Sequence, residues 1–143
     1  MQVDRMPAPR ILIVDDEPSI VALLRLVLEG ENYEVETAAS GAEAIRKLAE
    51  QSFELVLTDL RMETPTAGFE VVRSARRNFP DMPVAVLTAF PVPTNDWRQA
   101  GADVLFMKGT DSTLKMLEWI QGALGHTKTQ SEHTSEQAKK RAS

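Results

Sequence analysis

Ile11-Leu12-Ile13-Val14-Asp15-Asp16-Glu17-Pro18 decides the reading of this chain: four aliphatic residues, then three acids, then a proline. A short unbroken aliphatic run is the mark of a strand buried on both faces, as in parallel sheets. Proline is favoured in the first turn of a helix, so Pro18 predicts a helix opening directly after the acids. Three further runs have the same form. Leu55-Val56-Leu57 leads through Thr58 to Asp59, Val84-Ala85-Val86-Leu87 stops at Thr88, and Val104-Leu105-Phe106-Met107 stops at Lys108. In open α/β sheets ligands bind beyond the carboxyl ends of the strands, so these residues are expected to converge on one rim.

Working outward, a strand is predicted over 10–14 and a helix from Pro18 to about Glu29, its apolar face made by Ile20, Leu24, Val27 and Leu28 with Leu23 beside it. Tyr33 to Ala38 alternates like a half-buried edge strand. Ser40 caps a second helix in which Glu43 completes a capping box and Ala44, Ile45, Leu48 and Ala49 face inward. Strand 53–58 delivers Asp59, and a loop with Pro65 and Gly68 leads to a helix of about 69–78. Strand 84–87 and a helix confined by Pro91 and Pro93 to about 94–100 follow. Strand 103–107 and a helix of about 111–124, burying Leu114, Leu117, Ile120 and Leu124, complete the pattern. Strand alternates with helix five times, which predicts an α/β fold with right-handed crossovers around a parallel sheet. Residues 1–9 read as an arm, 10–124 as one domain, and 125–143 as a disordered polar tail.

The 143 residues are 43% hydrophobic and 26% charged, in the range of a globular domain. With no cysteine, disulfides, thiolate catalysis and cysteine-ligated zinc are excluded. No apolar stretch is long enough for a bilayer and no signal-peptide layout is present, so a cytoplasmic protein without membrane contact is expected. The net charge is −5; the segment from Gly125 carries +2, leaving −7 on the remainder. An acidic body disfavours nucleic acid, and Lys139-Lys140-Arg141 reads as a solvated terminus. His126 and His133 lack a metal-ligand pattern, and no P-loop, dinucleotide or zincin motif occurs.

Asp15, Asp16 and Asp59 carry the chemistry. Carboxylates gathered at one rim repel unless a cation lies among them. Mg²⁺ takes oxygen ligands, keeps several waters, and is held by one or two carboxylates plus phosphate oxygens. Lys108 could offset charge on a phosphoryl group, and the Thr88 hydroxyl could donate to one of its oxygens. Singly, Lys108 is equally a solvated strand-end lysine and Thr88 a residue of high β-propensity.

With the VDDEP turn at 14–18, TDLRM at 58–62, Thr88-Ala89, Gly101-Ala102-Asp103 and Lys108 in this order, the chain resembles the receiver domain of two-component response regulators over about 10–124. The resemblance implies a flavodoxin-like, doubly wound five-stranded sheet in the order 2-1-3-4-5 with five helices. That order is already known for the chemotaxis member of the family. It implies Asp59 as phosphoacceptor from a sensor histidine kinase or phosphotransfer protein, and Mg²⁺ held by Asp16, by Asp15 through water, by Asp59 and by the Arg61 backbone carbonyl. Thr88 and Lys108 would engage the phosphoryl oxygens and report to a face of helix 4, strand 5 and helix 5.

Four features depart from the family pattern. Glu63 stands where a proline is usual, with the path to Gly68 one residue longer, and Gly109 replaces the proline after the lysine, so a trans bond and a redirected loop are expected. Leu105 occupies the switch-aromatic position while Phe106 should face the other way. The fourth helix is short. Bulky Arg61 and Phe90 at the positions that gate water imply slow phosphate loss. The expected protein is a stand-alone receiver, not an enzyme, that acts through an unidentified downstream protein, with homodimerisation open. The alternative is a pseudo-receiver scaffold that is never phosphorylated. A hydrolase of the haloacid-dehalogenase type would need a DxD-like motif, whereas Asp15 and Asp16 are adjacent.

Overall fold

The computed structural model describes residues 7–89, 96–109, 111 and 113–125. Phe90, Pro91, Pro93, the start of the expected fourth helix, and the tail with His126, His133 and Lys139-Lys140-Arg141 lie outside the described residues. The elements are β1 (Arg10–Val14), α1 (Pro18–Gly30), β2 (Glu34–Ala38), α2 (Gly41–Glu50), β3 (Leu55–Thr58), α3 (Ala67–Asn78), β4 (Val84–Thr88), α4 (Asp96–Ala100), β5 (Val104–Met107) and α5 (Thr113–Leu124). The chain divides into two compact units, one ending at Asp111 and the other, with α5, following it.

All strand pairs are parallel and the sheet order is β2-β1-β3-β4-β5. The expected five strands, five helices and order are therefore present. Alternation divides the sheet's side chains between two faces. Leu12, Val14, Val56, Val84 and Val86 pack with Ala44 and Leu48 of α2 and with Val71, Val72 and Ala75 of α3. Ile11, Ile13, Leu55, Leu57 and Phe106, one step out of phase, are buried on the opposite side. There α1 lies along β1 and β2 and buries Leu24 and Leu28. β1, β3 and β4 are buried at nearly every position, which is why they read as unbroken aliphatic runs rather than alternating ones.

Local signals explain most boundaries. Pro18 opens α1, and Asn32 takes a left-handed φ of 71° just beyond its end. The Ser40 hydroxyl accepts the Glu43 N–H at 3.1 Å, but the Glu43 carboxylate reaches past the cap to the Ala39 N–H at 2.9 Å. Two expected inward residues are not inward. Ala49 is exposed, since the buried stripe of α2 runs Gly41, Ala44 and Leu48. Leu114 is 63% exposed because α5 begins at Thr113 and buries Met116 and Ile120, one helical turn apart.

Gly68 ties the start of α3 to the end of β3. Its N–H donates to the Leu60 carbonyl at 2.8 Å. A Cβ there would stand 2.1 Å from the Asp59 carbonyl oxygen and 2.4 Å from Leu60 Cα, against backbone that cannot swing away. Gly68→Ala is expected to cost about 2–4 kcal/mol in denaturant unfolding, through overpacking and strain. Gly122→Ala, in a helix with no atom near the new methyl, should stabilise by about 0.5–1 kcal/mol.

Candidate functional site

The sheet's hydrogen bonding continues one step past β1, β3 and β5 and sets the site residues. Asp15 N–H donates to Ala38 at 3.1 Å, Asp59 N–H to Val14 at 2.8 Å, and Lys108 N–H to Thr88 at 2.7 Å. Asp15, Asp59 and Lys108 are thus fixed by backbone before any side-chain contact forms. Thr88 is buried at the end of β4, in register with Met107, so it stands at the same rim.

Side chains then meet. Asp15, Asp16 and Asp59 each offer a carboxylate oxygen within 4.8 Å of the others, with Asp15 and Asp59 buried and Asp16 exposed. Lys108 Nζ lies 2.7 Å from Asp15 Oδ2, 2.9 Å from Glu17 Oε1 and 3.1 Å from Asp59 Oδ2. The second oxygens of Asp15 and Asp59 are taken by backbone: Asp15 Oδ1 accepts the Glu17 N–H at 3.0 Å and Asp59 Oδ1 the Leu60 N–H at 2.7 Å. Asp15 Oδ2 is buried without an aligned hydrogen bond. Its close partner is the Lys108 ammonium at 2.7 Å.

Electrostatics follow from burial and pairing. Burial pushes the Asp15 carboxyl above the ordinary range, and the Asp59 charge adds to this, while Lys108 and the Glu17 N–H oppose it. For Lys108, burial acts to lower the pKa, but the bonds to Asp15, Glu17 and Asp59 outweigh it and the ammonium is held charged more firmly than a free lysine. One cation thus compensates a cluster of acids, and the acids still outnumber it. The donor set fits Mg²⁺: three carboxylates from two strand ends, whose ligand oxygens all lie within 4.8 Å of one another.

Of the residues singled out in the sequence, Asp15, Asp16, Asp59 and Lys108 are gathered into one cluster and Thr88 into the same rim. Arg61 follows Asp59 on an exposed loop. The Lys108–Gly109 bond is trans, and Gly109 adopts φ 81°, left-handed backbone that proline could not take. Asp111 closes this redirected loop: its N–H donates to the Met107 carbonyl at 2.9 Å and its Oδ2 accepts the Met107 N–H at 2.7 Å. Leu105 packs on the α2–α3 side, and Phe106 is buried on the other face, out of phase as its position requires.

Two residues were missed as participants. In the sequence Glu17 reads only as part of the acidic turn. Glu63 was noted only for standing in a proline's place, yet its Oε1 and Oε2 accept the Gly41 and Ala42 N–H groups at 2.9 and 3.0 Å. It staples the Asp59 loop to the N-terminus of α2, where a carboxylate suits the helix dipole. A sequence signal existed for neither, because both contacts cross between elements far apart in the chain.

The profile of the response regulator receiver domain matches residues 11–118. The transcriptional regulatory protein ResD of Bacillus subtilis is 40% identical over 108 residues, covering 74% of this chain and 44% of that protein. The chain spans less than half the length of the curated relatives it matches. Among solved structures, a CheY-like response regulator receiver domain protein from Methanospirillum hungatei is 32% identical with a TM-score of 0.76, covering 88% of this chain and 98% of that one. The response regulator TrrA of Thermotoga maritima, solved in complex with Mg²⁺-BeF, is 34% identical with a TM-score of 0.72, covering 81% and 99%.

Two stability measurements check these electrostatics. A carboxyl whose folded pKa is raised stabilises the fold below its unfolded pKa and loses that contribution as pH rises. Asp15→Asn is therefore expected to raise Tm at neutral pH, with the gain fading toward acid pH. Glu63 has the opposite sign, its carboxyl held below the ordinary range by the Gly41 N–H first of all. Glu63→Gln should cost about 1 kcal/mol at neutral pH, as a lost cap does, and the gap should close as pH falls below about 4.

Proposed function

The chain belongs to the response regulator receiver domain family, and from that membership we propose that it is a Mg²⁺-dependent phosphoacceptor in which Asp59 takes the phosphoryl group of a histidine kinase or phosphotransfer protein. The observation that carries this is the shared pocket of Asp15, Asp16 and Asp59 with Lys108 Nζ 3.1 Å from Asp59 Oδ2. An Asp59 carboxylate oxygen attacks the phosphorus of a phosphohistidine. The P–O bond forms as the P–N bond breaks, and the imidazole nitrogen keeps the electron pair.

The chain's own residues supply position and charge. The Leu60 N–H holds Asp59 Oδ1 and orients the carboxylate. Lys108 carries a permanent positive charge into a half-buried site, where it offsets charge on the transferring group more strongly than it would in water. To Thr88, buried at the same rim, we assign donation to a phosphoryl oxygen. Asp15, Asp16, Asp59 and the Arg61 backbone carbonyl are the residues that would hold Mg²⁺. When bound, the ion neutralises phosphoryl oxygens and acid–acid repulsion alike.

We take residues 10–124 as the receiver and its action as signalling by protein–protein contact in the cytoplasm, through a downstream protein, with the α4–β5 region as the altered output face. Beryllofluoride with Mg²⁺, a mimic of the phosphoryl group, should change the fluorescence of Trp97, which packs against the core cluster beside Ala100. The change should saturate in the wild type and be lost in Asp59→Asn. No response in the wild type, or equal responses in both proteins, would instead fit a scaffold that is not phosphorylated.

A further inference from the structure

Glu17 has no part in the reading above, and its side chain reaches away from the helix it precedes. It immediately precedes α1, with extended backbone (φ −98°, ψ 108°), and its carbonyl accepts the Ile20 and Val21 N–H groups at 3.1 Å. The short acceptors Ser, Thr, Asp and Asn at this position ordinarily bond the free N–H groups of the first turn, and Glu is not among them. The Glu17 carboxylate makes no such bond. It extends to Lys108 instead, with Oε1 2.9 Å from Nζ.

An ammonium has three donors, and here three carboxylates, from Asp15, Glu17 and Asp59, surround it. Asp15 and Asp59 are buried, so their places are set by the sheet. Glu17 is 56% exposed at its side chain and comes from a turn. Among the three it is the partner that can leave without stranding a buried charge. A phosphoryl oxygen arriving at Asp59 needs the same ammonium.

We propose that Glu17 is a positioning residue that holds Lys108 in the resting site and competes with the phosphoryl group for it, so that it sets how tightly the phosphorylated form is held. The inference rests on the phosphoacceptor reading and deepens it. Removing the Glu17 charge has two effects of opposite sign. Without Glu17, Lys108 rests wholly on Asp15 and Asp59 and the pocket has one negative charge fewer, so a divalent cation competes less well for those acids. A phosphoryl group gains instead: Lys108 surrenders no extra partner to reach it, and one repelling anion is gone.

The test uses the full chain and two variants, Glu17→Gln and Glu17→Asp. Mg²⁺ is titrated alone, then beryllofluoride at saturating Mg²⁺, each followed by calorimetry. Glu17→Gln should bind Mg²⁺ about threefold more weakly and beryllofluoride about threefold more tightly, the size of a partly exposed ion pair. Glu17→Asp keeps the charge on a shorter arm and should fall between Glu17→Gln and the wild type. A damaged turn at the start of α1 would weaken both ligands together. That result, or a beryllofluoride affinity unchanged in Glu17→Gln, overturns the proposal. A wild type that binds Mg²⁺ but never beryllofluoride overturns the phosphoacceptor reading itself, and this inference with it.

Discussion

Packing Asp15 and Asp59 into the same buried rim is the constraint on which the site depends, and Lys108 is what makes it tolerable. Two acids at the ends of adjacent central strands, with a third exposed beside them, repel one another in a medium that screens poorly. An ammonium 2.7 Å from one and 3.1 Å from the other supplies the compensation. The compensation is partial. Burial first of all, with the Asp59 charge added, keeps the Asp15 carboxyl raised in spite of Lys108. A pocket in that condition is primed for a second, divalent charge, and the arrival of phosphoryl oxygens would redistribute Lys108 among its partners.

Topology is what lets so few residues create this imbalance. In the order β2-β1-β3-β4-β5, β1 and β3 are direct neighbours although more than forty residues separate Val14 from Thr58 in sequence, and their carboxyl ends lie level. The strand ladder carries on into Asp15, Asp59 and Lys108 as backbone hydrogen bonds. The acids are placed by the sheet itself and not by flexible loops. The loops are then secured separately. Gly68 allows α3 to approach the Asp59 carbonyl, Glu63 fastens the loop to α2, and Asp111 closes the turn after Lys108. Further along, Arg76 bridges the Pro80, Met82 and Gly101 carbonyls and the Asp103 carboxylate, which fixes the approach to β5.

What could be read in advance follows from this division. The aliphatic runs of β1, β3 and β4 announce themselves because both sheet faces are covered, and the polar residue ending each run names the rim. Pro18 and Ser40 mark helix starts by local chemistry, and both were legible. Leu114 and Ala49 were misplaced because an apolar residue at a helix end fits the periodic stripe whether or not anything covers it. Glu17 and Glu63 were illegible for a different reason. Each acts through a long side chain on a partner from another element, and neither spacing nor residue type encodes such a meeting. Gly109 and Leu105 could be recognised as departures, and the structure supplies their local geometry: a left-handed turn at Gly109 and a core-facing Leu105.

The phosphoacceptor role proposed above belongs to Asp59 and to no other acid of the cluster. An acyl phosphate is reduced by borohydride to the corresponding alcohol, which turns an aspartyl phosphate into homoserine and leaves free carboxylates untouched. Peptide mass mapping after treatment with acetyl phosphate, Mg²⁺ and borohydride should find homoserine at position 59 alone, dependent on Mg²⁺. Homoserine at position 15 or 16, or an unmodified Asp59 at saturating Mg²⁺ and phosphodonor, would contradict the account.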